Sequence, residues 1–497
     1  MILTCSEMRA TEERAFREGA TPECLMDEAG EQIARAVRQF FPTPGVALVF
    51  FGKGHNGGDA LVAARHLGEC GWKVHVIAAY PEDKWSDLTR KKFGEAGRCL
   101  PNFPSKLTPR PHKPIVALDG LLGIGAAGPL REPILRFTRT INSLRNAVNA
   151  HVFALDLPTG LDGDSGEWDK DAVIADTTLT VGFGKAGLIP DGATDHVGRI
   201  AVLPVGPLST ALEPRTKAPH LAVPSELAPL LTRRLFDSHK GDYGRVGIVA
   251  GSKGMTGAAV MTSAACVRAG AGLVTVYATP DCQPVLASRA IPEVMVRPVE
   301  SYQEVLQQHH NVLALGPGLG ESRSEEVHEL LAQWEGPMIV DADGLNILAK
   351  NRTLLSLNIG PRLLTPHPGE MARLDPESKS ESRRAIVEEF VAANPVTLLL
   401  KGSRTIVGER GRPISYNTTG NPGMASGGMG DVLTGVCAAL ACRGLSLYDA
   451  GRLGSWLCGR AAELAISHGS DSEESLCATG VIDHLGTAFR DLQGRCF

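Results

Sequence analysis

No run of about 18 apolar residues occurs in the 497-residue chain, so nothing in it reads as a membrane span. The eleven cysteines include no C-x-x-C pair, which argues against a zinc cluster or a disulfide framework; reduced, mostly buried thiols are expected. Aromatic residues are scarce at 5%, and the formal charge of −5 supplies no basic field for nucleic acid. The phosphate loop G-x-x-x-x-G-K-[ST] is absent, so any nucleotide must be held by another geometry. The opening residues, MILTCSEMRATEERAF, are charged and lack the apolar core of a secretion signal. A cytoplasmic protein without membrane or nucleic-acid partners is therefore expected; a homo-oligomer is a separate expectation that these absences do not supply.

What the chain does have is glycine, 56 residues of it, and short apolar runs alternating with helical patterns. VALVFF, KVHVIAAY, IVALD, HVFALDLP, TTLTVGF and RIAVLPV come first. A segment with five prolines, residues 204–226, interrupts them and reads as a linker. The pattern then restarts with RVGIVAG, LVTVYAT, VMVRPV, NVLALGPG, PMIVDAD, RLLTPH and VTLLLKG, and becomes mainly helical from Met429. Continuous apolar strands between helices imply parallel sheets covered on both faces. The fold class is α/β in two domains, the first a Rossmann-like parallel-sheet sandwich, with expected bounds 1–205 and 225–497 around a linker at 206–224.

Ligands of open α/β sheets gather outside the carboxyl ends of strands. In the first domain four glycine-bearing loops follow strands: GKGHNGGDA, DGLLGIGAAGP, DLPTGLDGDSG and GFGKAG. The first contains G-x-G-x-x-G, yet Asp59 stands in the following helical turn, where a bound pyrophosphate disfavours a carboxylate. The acidic residue expected to hold a ribose is also missing; the first acid after the second strand is Glu82, which lies too far on. A nicotinamide hydride carrier is thus disfavoured, and Asp59 is either functional or a first-turn acid of the helix. Asp119 and Asp156 end strands, with Thr159 and Asn56 nearby in motif order. Such oxygen donors suit a hard cation, although strand-end aspartates also serve as caps. Asp156 is a candidate for proton transfer, with Lys185 either its helper or a solvated loop lysine.

In the second domain NTTGNPGMASGGMGDVLTGVCAAL places six glycines between 420 and 435 before an apolar helix. Free backbone amides there form an anion hole, with Asp431 at its edge. LLLKGSRTIV reads as strand, turn and strand, offering a cation, an amide and hydroxyls to phosphate. LGPGLG makes another glycine turn, and His367 stands between two prolines that fix its direction. These residues alone would serve a sugar or vitamin kinase equally well, and the first domain could be a ligand-sensing module.

As a set, LMDEAG, GKGHNGGDA, DGLLGIG, ALDLPTGLDGDSG and GFGKAG resemble the NAD(P)H-hydrate epimerase domain. That resemblance implies a substrate hydrated at nicotinamide C6, whose R and S forms interconvert, and a bound potassium ion. By position Asn56, Asp119 and Thr159 match the ion ligands. His55, Asn56, Gly57, Gly58, Asp59, Gly123, Ile124, Gly125, Ala126, Ala127, Gly128, Pro129 and Asp156 match substrate contacts. The family usually carries two asparagines where this chain has His55-Asn56, and serine at Thr159. VAGSKGMTGAAVMTS, DADGLN, TPHPGEMARL, LKGSRTIV and NPGMASGGMGD resemble the ADP- or ATP-dependent NAD(P)H-hydrate dehydratase, a ribokinase-like protein. Phosphorylation of the 6-hydroxyl and loss of phosphate are implied, with ADP or ATP as co-substrate and Mg2+ beside it. Ala258, Gly318, His367 and Asp431 match substrate contacts there. Lys401, Gly402, Ser403, Arg404 and Thr405 match nucleotide contacts, as do Asn421, Pro422, Gly423, Met424, Ala425, Ser426, Gly427, Gly428, Met429 and Gly430. Met429 stands where the family commonly has threonine.

Overall fold

The computed structural model describes residues 1–97, 99–104, 107, 113–126, 128–212, 217–357 and 359–494. It divides into two compact units, Met1–Arg215 and Thr216–Cys496. Each is a mostly parallel sheet with helices on both faces, the α/β class expected from the sequence.

In the first unit six parallel strands run in the spatial order Lys73–Ala78, Val46–Phe51, Ile115–Gly120, His151–Leu155, Thr177–Val181 and Arg199–Leu203. The apolar runs are continuous because both faces are covered. Ala47, Val49 and Phe51 face a core shared with Ile33 and Ala60, whereas Leu48 and Phe50 face Ile134, Phe137 and Ile141. The chain enters at Val46–Phe51, adds one neighbour on one side, then crosses to build the rest on the other. The strand order therefore reverses between Val46–Phe51 and Ile115–Gly120, opening a crevice beyond their carboxyl ends.

The second unit repeats this logic on a ten-stranded sheet. Val294–Pro298, Leu273–Ala278, Arg245–Val249, Val312–Leu315, Met338–Val340, Arg362–Leu364 and Thr397–Leu400 are parallel. Thr397–Leu400 then pairs antiparallel with Ile406–Glu409, the expected strand-turn-strand. Order reverses between Arg245–Val249 and Val312–Leu315. The Met429–Cys442 helix is buried throughout from Val432 to Cys442 and packs against Thr256–Arg268. Gly435 permits that approach: a Cβ there would lie 2.1 Å from the Thr262 carbonyl oxygen. Within 206–224, the Gly206–Ala211 helix packs on Cys5–Arg17, and His220–Leu221 adds the last strand of the second sheet.

Candidate active sites

The glycine loop of the first unit lies at the strand-order reversal. A Cβ on Gly52 would meet the Leu121 carbonyl oxygen at 1.9 Å, and one on Gly57 the Gly52 carbonyl oxygen at 2.3 Å, so both positions demand glycine. The helix His55–Glu69 starts at Gly54, which has no side chain to occupy the first amides. Thr89 Oγ1 holds the loop from outside by donating to the carbonyls of Lys53 and Gly54. His55 is exposed.

Asn56, Asp119 and Thr159 converge from the first turn of that helix, the end of the strand Ile115–Gly120 and the turn after His151–Leu155. Asn56 Nδ2 donates to the Leu122 carbonyl at 2.8 Å, while its Oδ1 is buried without a hydrogen-bond partner among the described residues. Asp119 is fully buried and accepts from Thr159 N at 2.8 Å and Thr159 Oγ1 at 2.7 Å. Burial pushes its carboxyl up to about 6, outweighing the hydrogen bonds from Thr159 and Leu121. Gly123 stands against Asn56, and Arg9 donates to the Ile124 carbonyl. Of the neighbouring residues Gly125, Gly128 and Pro129 are exposed, Ala126 N donates to the Gly123 carbonyl, and Ala127 lies outside the described residues.

Asp156 has φ 67, a left-handed backbone that an aspartate adopts at a cost. That turn aims its carboxylate at Lys185 Nζ, which it contacts directly, and Val181 N also donates to it. Lys185 is fully buried; its Nζ also donates to the Val181 carbonyl at 2.8 Å. Its short strand, Gly184–Lys185, is paired with Ile2–Leu3. Asp59 faces the same pair: burial, then the charges of Asp156 and Glu12, push its carboxyl well up, with Lys185 opposing. The helix begins at His55 and carries no acid in its first turn, so Asp59 is not the first-turn acid that its place after the glycines allowed; it belongs to a cluster of acids with Asp156 and Glu12. Glu12, raised by burial and by Asp156, escaped the sequence reading because it sits on a helix outside every glycine motif.

In the second unit Ala258 and Gly318 meet at the strand-order reversal, a Cβ on Gly318 falling 2.9 Å from that of Ala258. His367 caps the Pro368–Leu374 helix: Nδ1 accepts from Gly369 N at 3.0 Å, and His367 N donates to Glu370 Oε2 at 2.8 Å. An accepting Nδ1 puts the ring proton on Nε2, 3.5 Å from Glu370 Oε1. The Gly402–Thr405 turn is closed by Thr405 Oγ1 donating to the Gly402 carbonyl and braced by Arg383, which donates to the carbonyls of Lys401 and Arg404. Ser403 is exposed and Arg404 buried.

Lys401 turns inward from that turn. Its Nζ donates to Asp341 Oδ1 at 2.7 Å and lies 3.5 Å from Glu370. Burial pulls its basicity down, yet Asp341 and Glu370 together carry it above the usual lysine range. Asn421 Oδ1 accepts from Gly423 N and shapes the turn through Pro422 and Met424, while Asn421 Nδ2 is buried without a partner among the described residues. Ala425, Ser426 and Gly427 are exposed. Gly428, at φ 91, begins the Met429–Cys442 helix, whose first amides have no side-chain cap. A Cβ on Gly430 would lie 3.4 Å from Lys401 Nζ, so the ammonium faces the first helical turn. Met429 packs on the core and leaves those amides in place. Burial first, then Asp341, push Asp431 up to about 6, against Lys401. Helix N-terminus, cation and a carboxylate titrating near neutrality suit phosphoryl transfer from an anion bound at the amides. Asp341, Glu370 and Thr434 are the members that motif reading left without a role.

Comparison with known proteins fits this layout. The NAD(P)H-hydrate dehydratase family profile matches residues 246–477, and that of the YjeF-related protein N-terminus matches 22–187. The bifunctional NAD(P)H-hydrate repair enzyme of Moorella thermoacetica is 33% identical over 99% of this chain and 97% of its own length. That of Coxiella burnetii is 34% identical over 96% and 97%. Among solved structures, the ADP/ATP-dependent NAD(P)H-hydrate dehydratase of Bacillus subtilis, co-crystallised with ATP and Mg2+, is 27% identical over 56% of this chain and all of its own, with a TM-score of 0.49. Matched along nearly its whole length by such relatives, the chain belongs to the family of bifunctional NAD(P)H-hydrate repair enzymes.

Proposed function

We propose that the first unit interconverts the R and S forms of NAD(P)H hydrate, and that the second dehydrates the S form at the expense of ADP or ATP. The observation that carries the reading is the convergence of Lys401, Asp431 and the uncapped amides of Met429–Cys442 on one point. A phosphate held there meets a cation and a base. Asp431 accepts the proton of the 6-hydroxyl while its oxygen attacks phosphorus and the nucleotide departs. The C6–O bond then breaks with its electron pair leaving on phosphate, the adjacent ring carbon loses a proton, and the double bond returns. Lys401–Thr405 and Asn421–Gly430 bind the nucleotide, which brings Mg2+ on its phosphates. Ala258, Gly318 and His367 bind the hydrate.

In the first unit Asp156 and Lys185 form the proton-transfer pair. C6 carries both the hydroxyl and the ring nitrogen. Protonating the hydroxyl lets it leave as water, and water returning to the opposite face inverts the centre and gives the proton back. The residues His55–Asp59, Gly123–Pro129 and Asp156 hold the substrate. The oxygen donors Asn56, Asp119 and Thr159 fit K+: among the described residues the buried amide oxygen of Asn56 has no hydrogen-bond partner and the buried carboxylate of Asp119 forms no ion pair. Bound there, the ion supplies positive charge that ties two substrate loops together. The domain bounds 1–205 and 225–497 and a homo-oligomeric state complete the proposal.

The test is the product. With the S form and ADP, absorbance of the dihydronicotinamide is expected to rise as AMP and inorganic phosphate appear together. A stable phosphate ester with no such rise would mark the second unit as a small-molecule kinase instead.

A further inference from the structure

DADGLN follows the central strand Met338–Val340, and its first residue does more than end the strand. Asp341 is only 1% exposed. Its Oδ1 accepts from Lys401 Nζ at 2.7 Å, and its Oδ2 accepts from Thr434 Oγ1 at 2.8 Å. Oδ2 also lies 3.3 Å from where a Gly430 Cβ would stand, so the carboxylate sits directly under the first turn of Met429–Cys442. The next residue, Ala342, is held at φ 49, ψ −118, a conformation costly for a residue with a Cβ. Strain beside a buried charge that joins three separate elements points to a geometric duty.

We infer that Asp341 is a positioning residue of the second site, holding Lys401 Nζ beneath the glycine turn where the transferred phosphate arrives and facing Asp431 with a second negative charge. This rests on the reading of that site as the dehydratase. Thr434 lies three residues after Asp431, on the same face of the helix, so its bond to Asp341 fixes the two carboxylates relative to each other. Around Asp431 the charged neighbours are few. Asp341 faces it from the end of Met338–Val340 and Lys401 from the end of Thr397–Leu400. Behind Lys401 stands Glu370, with His367 on the same helix. Thr256–Arg268 carries no titratable residue before Cys266. The helices Leu447–Ser467 and Ala478–Gln493 bring Arg460, Glu463 and Asp491, which pair among themselves. Asp341 therefore keeps Asp431 a usable base near neutrality instead of letting Lys401 clamp it as an ion-paired carboxylate.

The test is Asp341→Asn in the full chain, with kcat/KM for dehydration measured against pH and epimerisation measured in the same preparation. The acid limb, expected near pH 6 for the natural protein because burial and Asp341 push the Asp431 carboxyl up to about 6, is expected to move down by about one unit as the like charge is removed, while epimerisation is unchanged. An overall fall in rate with the limb unmoved overturns the inference. Lys401→Met provides the opposite perturbation: Asp431 then faces Asp341 alone and the limb is expected to move up. If Asp341→Asn does not fold, this variant decides, and an unmoved limb refutes the inference. Failure of both variants to fold, or folded proteins wholly inactive in both, also overturns it, because a positioning residue lowers the rate without abolishing it. A natural protein lacking any nucleotide-dependent dehydration sinks the underlying reading instead, before either variant is made.

Discussion

Asp431 and Asp156 are both strand- or helix-end aspartates, but their surroundings give them different duties. Asp431 is partly buried, opposed by Asp341 and balanced by Lys401, and titrates at about 6. With its ionised form as the proposed base, kcat/KM for dehydration is expected to rise tenfold per pH unit up to about 6 and flatten above it. Asp431→Ala is expected to lower dehydration at least about 100-fold at pH 7 and leave epimerisation intact. Asp156 instead owes its position to a left-handed backbone and direct contact with buried Lys185. Asp156→Asn is expected to remove epimerisation by a similar factor and spare dehydration, read by following both epimers by chromatography. Most of these residues were legible because each ends an apolar strand or opens a glycine-rich helix. The direction of Lys401 was not: LKGSRT reads as a nucleotide turn, and only packing shows its ammonium turned back to Asp341 and Glu370. Glu12 was likewise invisible, and Asp341, though it opens DADGLN, carried no role, since a buried charge is recognised by what surrounds it.

Elements bring these residues together by close backbone contact. Strands were plain in the sequence because continuous apolar runs between helical patterns leave few alternatives. The two-residue strands Ile2–Leu3 and Gly184–Lys185 carry too little pattern to be read, yet their pairing fixes Lys185. His367 drew notice for its flanking prolines, whereas its capping of Pro368–Leu374 depends on a side-chain bond that composition does not announce. At the glycine loop, Gly57→Ala would drive a Cβ to 2.3 Å from the Gly52 carbonyl oxygen. It is expected to destabilise the first unit by about 1–3 kcal/mol and to abolish epimerisation alone, checked by thermal melting and by assay. Asn56→Ala removes the partnerless buried amide oxygen beside Asp119 and Thr159 that would face an ion. The potassium dependence of epimerisation is then expected to shift upward roughly tenfold, the equivalent of about 1.4 kcal/mol.

At the scale of the molecule, two α/β units each repeat one device: a sheet whose strand order reverses, with the proposed site residues gathered beyond the reversal. No helix among the described residues is long and apolar enough to cross a membrane. The hydrate released by one site is the substrate of the other, so the two activities need only share a solution. Mixing an Asp156→Asn preparation with an Asp431→Ala preparation is accordingly expected to restore full conversion of the R form, at a rate that depends on protein concentration. The most direct test of the whole account starts from the purified R form alone, given to the natural protein with ADP. The expected trace shows S form appearing transiently, then NAD(P)H with one AMP and one phosphate for each hydrate consumed. An R form that persists unchanged, or is consumed into a lasting phosphate ester, contradicts it.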